Sequence, residues 1–240
     1  MVVDLNNKVA LITGASSGIG KAIAQDLDSA GMKLILTARS QDKLEQIAAS
    51  LNNARVLAGG ITDAEMPQQL LEFALESYGK LDVVLNNAGM MTVGAIEEVN
   101  IDTIAQMVRL NVEAVYRMAY TTLKHFKKIG SGFLINTSSI AGLKTMPTYG
   151  AYNGTKYAVE AFTDALRMEL AGTGIKVASV APGTVDTGLY DSWTEENKDY
   201  ITSGGALLPE DIARSVRFIL EQPDPVLIPR LLVVPTNQPV

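Results

Sequence analysis

The stretch KVALITGASSGIGKA, residues 8–22, decides the fold. Its first part, KVALIT (8–13), is a short apolar run that stops at Gly14. A helical pattern follows, with Ile19, Ala22, Ile23 and Leu27 at helix spacing before Gly31. Gly14, Gly18 and Gly20 therefore sit between a strand and a helix N-terminus. Glycines in that place let backbone N–H groups approach a phosphate, and the helix dipole favours the anion.

Three ligand chemistries use glycine-rich turns of this kind. A Walker loop does not fit: Gly14 and Gly20 are one residue too far apart, and Ala22 follows Lys21 where Ser or Thr is needed. Gly14-Ala15-Ser16-Ser17-Gly18 matches a nucleophile elbow. That hydrolase reading needs a late His, and the single His, His125, lies mid-chain in LKHFKK, at the basic end of a helix. The remaining reading is a dinucleotide pocket with the spacing Gly-x-x-x-Gly-x-Gly, set against a turn whose glycines serve the bend alone.

Composition sets the frame. The chain has 240 residues, 47% of them hydrophobic, no Cys, and a net charge of −6. That supports one α/β domain over 1–240 with a sizeable core. It offers no disulfide or thiolate site, and its acidity (pI about 4.9) argues against nucleic-acid and anionic-membrane partners. MVVDLNNKVALITG carries an acid where a signal peptide has bases. No apolar run approaches a membrane helix. A soluble, cytoplasmic protein is the expectation.

Strands and helices alternate along the whole chain. Strands are expected at 8–13, 33–38, 54–58, 81–87, 132–137, 175–182 and 230–235. Helices are expected from Ile19 to Leu27, at 42–51, 70–78, about 101–128, about 151–171 and 209–222. Short apolar strands between amphipathic helices predict a parallel sheet covered on both faces. Ligands of such sheets bind beyond the carboxyl ends of the strands, where strand order reverses.

The residues just past each strand are therefore the informative ones. After the second strand comes TARS (37–40), with Ala38, Arg39 and Ser40 where NAD pockets place an acid for the ribose 2′-hydroxyl. Arg39 can pair with a 2′-phosphate, which favours NADP over NAD. Asp42 reads as ordinary charge at the start of the next helix. The fourth strand ends in NNAG (86–89), the fifth in NTSSIAG (136–142) and the sixth in APGTVDT (181–187). Together these small, polar and turn-forming ends outline a crevice.

One helix carries a further signal. Tyr152 and Lys156 in YNGTK (152–156) lie one turn apart on a shared face, while the apolar stripe reads Ala158, Phe162, Ala165, Leu166 and Leu170. An ammonium beside a phenol favours the phenolate and suits the Tyr to proton transfer near neutral pH. The plain alternative is an amphipathic helix with a snorkelling Lys.

These motifs, in this order and over nearly the whole chain, resemble those of the short-chain dehydrogenases/reductases of the compact single-domain type. The matching segments are TGASSGIG (13–20), NNAG, Asn111 in RLNVEA, NTSSIAG, YNGTK and PGTVDT (182–187). The resemblance implies a Rossmann-like doubly wound sheet of seven parallel strands, ordered 3-2-1-4-5-6-7, with helices on both faces. It implies reversible hydride transfer between a nicotinamide cofactor and a carbonyl or alcohol, without a metal. Tyr152 would be the acid/base. Lys156 would lower its pKa and bond the nicotinamide ribose. Ser139 would bond the substrate oxygen, with Ser138 facing elsewhere. Asn111 would hold a water that relays protons, or else make a buried structural hydrogen bond among Met107, Val108, Ala114 and Val115. The cofactor residues would be Gly14, Ser16, Ser17, Gly18, Ile19 and Gly20; Arg39 and Ser40; Asn87, Ala88 and Gly89; Tyr152 and Lys156; and Pro182, Gly183, Val185 and Thr187. A homo-oligomer, tetramer or dimer, meeting through the helices near 101–128 and 151–171, is implied as well.

Two positions depart from the family pattern: Gly60 stands where an acid often contacts adenine, and Gly154 lies inside the Tyr–Lys motif. Gly154 would relieve crowding at a helix or subunit contact. Segment 188–206, with Leu189, Tyr190 and Trp193 and a Gly204-Gly205 hinge, is the expected substrate lid. Met90, Met91, Met146 and Tyr149 are the expected opposite wall of an apolar pocket. The lid lacks Arg, so it offers no carboxylate clamp. The substrate expectation is a ketone or aldehyde reduced with NADPH. A 3-hydroxy acid dehydrogenase and a non-catalytic cofactor sensor are the alternatives.

Overall fold

The computed structural model describes residues 2–190 and 205–238. The strands are β1 (Val9–Thr13), β2 (Lys33–Thr37), β3 (Ala54–Val56), β4 (Val83–Asn86), β5 (Gly132–Thr137), β6 (Ile175–Pro182) and β7 (Arg230–Val233). They form one sheet in the order β3-β2-β1-β4-β5-β6-β7, with all pairs parallel. The order reverses between β1 and β4, and this is where a crevice opens at the strand ends. The helices are α1 (Gly18–Ser29), α2 (Gln41–Ala48), α3 (Met66–Tyr78), α4 (Ile101–Val108), α5 (Ala114–Ile129), α6 (Gly150–Glu169) and α7 (Pro209–Leu220).

Strand alternation divides the core into two layers. Ala10, Ile12, Leu34, Leu36, Leu85, Ile135 and Val180 face α1, α2 and α7. Val9, Leu11, Ile35, Val84, Leu134 and Val177 face α3, α5 and α6. Both faces are covered, which is why β1 is fully buried and reads as an unbroken apolar run.

Several boundaries differ from the sequence reading. β3 is only three residues long because it is the half-exposed edge of the sheet. β4 starts at Val83 rather than 81, because Asp82 turns its carboxylate back to accept the Val9 N–H at 2.8 Å. α3 starts earlier, at Met66 with Pro67 in its first turn. The long helix over 101–128 is broken by a π turn, Arg109–Glu113, between α4 and α5. α6 buries more than the expected stripe: Leu166 and Leu170 are in the core and Phe162 packs against it, as expected. Tyr152, Asn153, Thr155, Lys156, Val159, Glu160, Thr163 and Leu166 are buried, whereas Ala165 is exposed. The apolar spacing marks only part of the inward face, because the rest is polar and its polar groups are paired.

A buried chain of hydrogen bonds seats that face. Asn86 Nδ2 donates to Asn136 Oδ1 at 3.0 Å, Asn136 Nδ2 to Thr163 Oγ1 at 2.8 Å, and Thr163 Oγ1 to the Val159 carbonyl at 2.7 Å. It ties the ends of β4 and β5 to α6 and so sets where Tyr152 and Lys156 lie. Further along, Glu160 accepts from Ser179 Oγ at 3.0 Å and from Arg230 Nε at 2.7 Å, linking α6 to β6 and β7.

Candidate active site

The turn after β1 is shaped by its glycines. Gly14 has a φ of +67°, and a Cβ there would come 2.8 Å from Ala88 Cα. A Cβ on Gly20 would lie 2.3 Å from the Gly14 carbonyl oxygen and 2.6 Å from Asn87 Nδ2. α1 can thus press against the turn only because residue 20 has no side chain. Asn87 locks the arrangement: its Nδ2 donates to the Thr13 carbonyl at 3.1 Å. Thr13 Oγ1 accepts from the Asn87 and Ala88 N–H groups at 2.9 and 3.0 Å.

The N-terminus of α1 is left open. Ser17 makes no side-chain cap, and the first turn holds no acid. Two other helices are capped by side chains: Ser40 accepts from the Lys43 N–H on α2, and Asn100 accepts from the Thr103 N–H on α4. Unpaired N–H groups at a helix start, aimed along the dipole into a crevice, suit a phosphate.

That crevice has a volume of about 1840 Å³. A pocket for one drug-sized ligand is about 300–1,000 Å³, so this one has room for a dinucleotide and a second molecule. Gly14, Ser16, Ser17, Gly18, Ile19, Arg39, Ser40, Asn87, Ala88 and Gly89 all line it. So do Ser139, Tyr152, Lys156, Pro182, Gly183, Val185 and Thr187, and on the outer side Met91, Met146, Tyr149 and Leu189. Gly20 is not on the wall; its part is the close approach of α1. Thr187 packs its methyl over Gly18, joining the turns after β1 and β6. Tyr190 ends a short 3-10 turn, Gly188–Tyr190, while Trp193 and Gly204 lie outside the described residues.

Tyr152 and Lys156 are each 7% exposed. Lys156 Nζ donates to the Thr137 carbonyl at 3.0 Å and lies 5.8 Å from the Tyr152 ring centre. Burial pulls the Lys156 ammonium down from 10.5 to about 8, and the carboxylate of Glu160 one turn on pulls the other way. Ser139 Oγ accepts from the Ala141 N–H at 3.1 Å and reaches the Pro182 carbonyl only at 3.5 Å, so its proton is weakly engaged. Ser138 Oγ is buried with no hydrogen-bond partner among the described residues and sits against Gly142.

Asn111 lies in the π turn and is 1% exposed. Its Nδ2 donates to the Met90 carbonyl at 2.8 Å and to Thr155 Oγ1 at 3.2 Å, and its Oδ1 accepts from the Met90 N–H at 2.9 Å. It is thus behind the crevice wall, not on it. One lone pair of Oδ1 remains, near Gly89, whose added Cβ would lie 3.4 Å from Oδ1 and 3.9 Å from Lys156 Nζ. Val108, expected beside it, is 43% exposed on the outer side of α4.

The crevice wall also holds residues the sequence reading passed over. Lys43, in the first turn of α2, joins Arg39, which lies just before the cap of that helix. Gln106 and Arg109 line the crevice as well, and Asn237 and Gln238 arrive from beyond β7. Gly59, Gly60, Ile61 and Thr62 line the end near β3, but Asp63 does not. No Asp or Glu appears among the described lining residues, although the chain is net acidic. His125 lines a separate groove between α3 and α5, so no His stands near Ser16 and the elbow reading fails. Nothing lies within 4 Å of a Cβ added to Gly154, so no crowding within the described chain calls for that glycine.

Comparison with known proteins agrees with this geometry. The family model for short chain dehydrogenase matches residues 8–198. An uncharacterised oxidoreductase of Listeria monocytogenes is 37% identical over 245 residues, covering 98% of this chain and 99% of its own. The 3-ketoacyl-(acyl-carrier-protein) reductase of Brucella melitensis, solved with NADH, is similar at a TM-score of 0.88 and 31% identity, over 97% of this chain and 99% of that one. An alcohol dehydrogenase of Thermococcus sibiricus, solved with 5-hydroxy-NADP, is similar at 0.87 and 31% identity, over 98% and 99%. The chain belongs to the short-chain dehydrogenase/reductase family and is an NAD(P)-dependent oxidoreductase.

Proposed function

We propose that the protein interconverts a ketone or aldehyde and the corresponding alcohol with NADP(H), using Tyr152 as acid and base. The observation that carries this is the shared wall of Ser139, Tyr152 and buried Lys156 beside an open helix N-terminus. A bound nicotinamide dinucleotide supplies the hydride in reduction and accepts it in oxidation. Tyr152 gives its phenolic proton to the carbonyl oxygen. Ser139 donates a hydrogen bond to the same oxygen, having its own acceptor side already filled by Ala141. The Lys156 ammonium, fixed on the Thr137 carbonyl, stabilises the phenolate left behind. Asn111 orients Lys156's surroundings and offers its last lone pair to a water in the proton path.

Support for NADP over NAD comes from Arg39 and Lys43 together at one end of a wall without described carboxylates. The 3-hydroxy acid alternative also has an observation in its favour. Gln106, Arg109 and Leu110 form one helical face on the crevice wall, and Arg109 can receive a carboxylate there. A mere sensor has no use for the Ser139, Tyr152 and Lys156 set. We further read the chain as one domain over 1–240 with 188–206 as lid, working in the cytoplasm. No helix among the described residues is long and apolar enough to cross a membrane. Assembly as a tetramer or dimer through α4, α5 and α6 would cover exposed Val108, Tyr120, Tyr157 and Met168. The test is oxidation of NADPH and NADH with a panel of ketones, aldehydes and oxo acids, by the native protein and by Tyr152→Phe. Turnover with NADPH that vanishes in Tyr152→Phe is expected; turnover retained in the variant would overturn the role of Tyr152.

A further inference from the structure

The turn after β6 and the segment after β7 are joined by the sheet ladder and, beyond it, by one side chain. Pro182 pairs with Val233, and the Gly183 N–H donates to the Val233 carbonyl at 2.7 Å. Beyond β7 the chain turns, with the Gln238 N–H on the Pro235 carbonyl at 3.0 Å. This brings the Gln238 side chain back so that its Oε1 accepts the Thr184 N–H at 3.0 Å. A backbone N–H can only donate, so the oxygen must face Thr184 and the NH2 lies on the other side. Gln238 and Asn237 line the crevice beside Gly183, Thr184 and Val185.

The fit depends on Gly183. A Cβ there would lie 2.1 Å from Gln238 Oε1 and 3.1 Å from Pro235 Cδ. The φ of Gly183 is not among the positive ones, so the backbone itself admits other residues. The glycine is needed because the Gln238 amide occupies the side-chain space.

We infer that Gln238 is a positioning residue of the cofactor site: its amide, seated where Gly183 lacks a side chain, holds the turn after β6 in the shape that receives the nicotinamide end of the dinucleotide. The inference rests on the function proposed above. Gln238→Ala removes the acceptor, and Gly183→Ala displaces it by steric contact. Both lose the same hydrogen bond, the one from the Thr184 N–H to Gln238 Oε1.

The test measures NADPH dissociation constants, KM for NADPH and kcat for the native protein, Gln238→Ala, Gly183→Ala and the double variant. One hydrogen bond corresponds to about a three- to tenfold change. NADPH should bind about three- to tenfold more weakly in each single variant, with KM for NADPH changing more than kcat. The double variant should match the weaker single variant, since both act through one contact. Native NADPH binding in Gln238→Ala, with only the melting temperature lowered, would overturn the inference and leave the proposed function standing. A double variant showing the product of both losses would overturn it too. A native protein that binds neither NADPH nor NADH would refute the proposed function itself, and this inference with it.

Discussion

Replacing Lys156 with Met tests the electrostatics of the site through stability, independently of any substrate. Lys156 is buried, and its ammonium is pulled from 10.5 down to about 8, mainly by loss of water. Below pH 8 both folded and unfolded chains hold this proton, and above 10.5 neither does. Between those values the unfolded chain binds more protons, so native stability rises with pH. At about 1.4 kcal/mol per tenfold change in proton affinity, the full rise is about 3.5 kcal/mol. Lys156→Met has no such group. Urea unfolding of both proteins at pH 7, 8, 9 and 10, compared at each pH, isolates Lys156 together with its coupling to Tyr152 and Glu160, because titrations elsewhere cancel. The stability of the native protein relative to the variant should climb across this range towards about 3.5 kcal/mol in total. A difference that stays flat, or falls as pH rises, would refute the account of Lys156 as a desolvated cation. Turnover should be lost in the variant throughout.

Other perturbations address separate parts of the crevice. Gly20→Ala should weaken cofactor binding at least tenfold in a titration, because its Cβ meets the Gly14 carbonyl at 2.3 Å and must push α1 off the turn. Arg39→Ala with Lys43→Ala should raise KM for NADPH about 10- to 100-fold while leaving that for NADH within a few-fold, as removal of two charge-assisted contacts to one phosphate requires. Arg109→Gln should lower kcat/KM for 3-oxobutanoate about tenfold more than for its methyl ester; an equal effect on both would discard the 3-hydroxy acid alternative.

The architecture was legible because β1, β4, β5 and β6 are buried on both faces and read as apolar runs ending in glycine, Asn or Pro-Gly. The crevice was legible for the same reason: topology brings those ends to one rim. Where chemistry depends on contacts between distant segments, the sequence was silent. Gln238 lies far from Gly183 in the chain, and no local pattern announces their contact. The π turn at Arg109–Glu113 has no hydrophobic period of its own and so merged with its neighbouring helices. On α6 the error ran the other way. An apolar stripe was visible, but Asn153, Thr155, Glu160 and Thr163 are buried beside it because Ala141, Tyr152, Ser179 and Asn136 offer them partners. Arg39 was found from its place after β2, whereas Lys43, in the first turn of α2, was overlooked for its ordinary position in a helix.

The central claim is that hydride passes between a nicotinamide and a carbonyl carbon above Tyr152. The most direct measurement is isotopic: reduction of a ketone by NADPH carrying deuterium at C4 of the nicotinamide, with the alcohol examined by mass spectrometry and NMR. The account predicts deuterium on the carbinol carbon from one face of the cofactor, and none of this product with Tyr152→Phe. Alcohol formed without the label from either C4 face, or labelled alcohol formed undiminished by Tyr152→Phe, would contradict it.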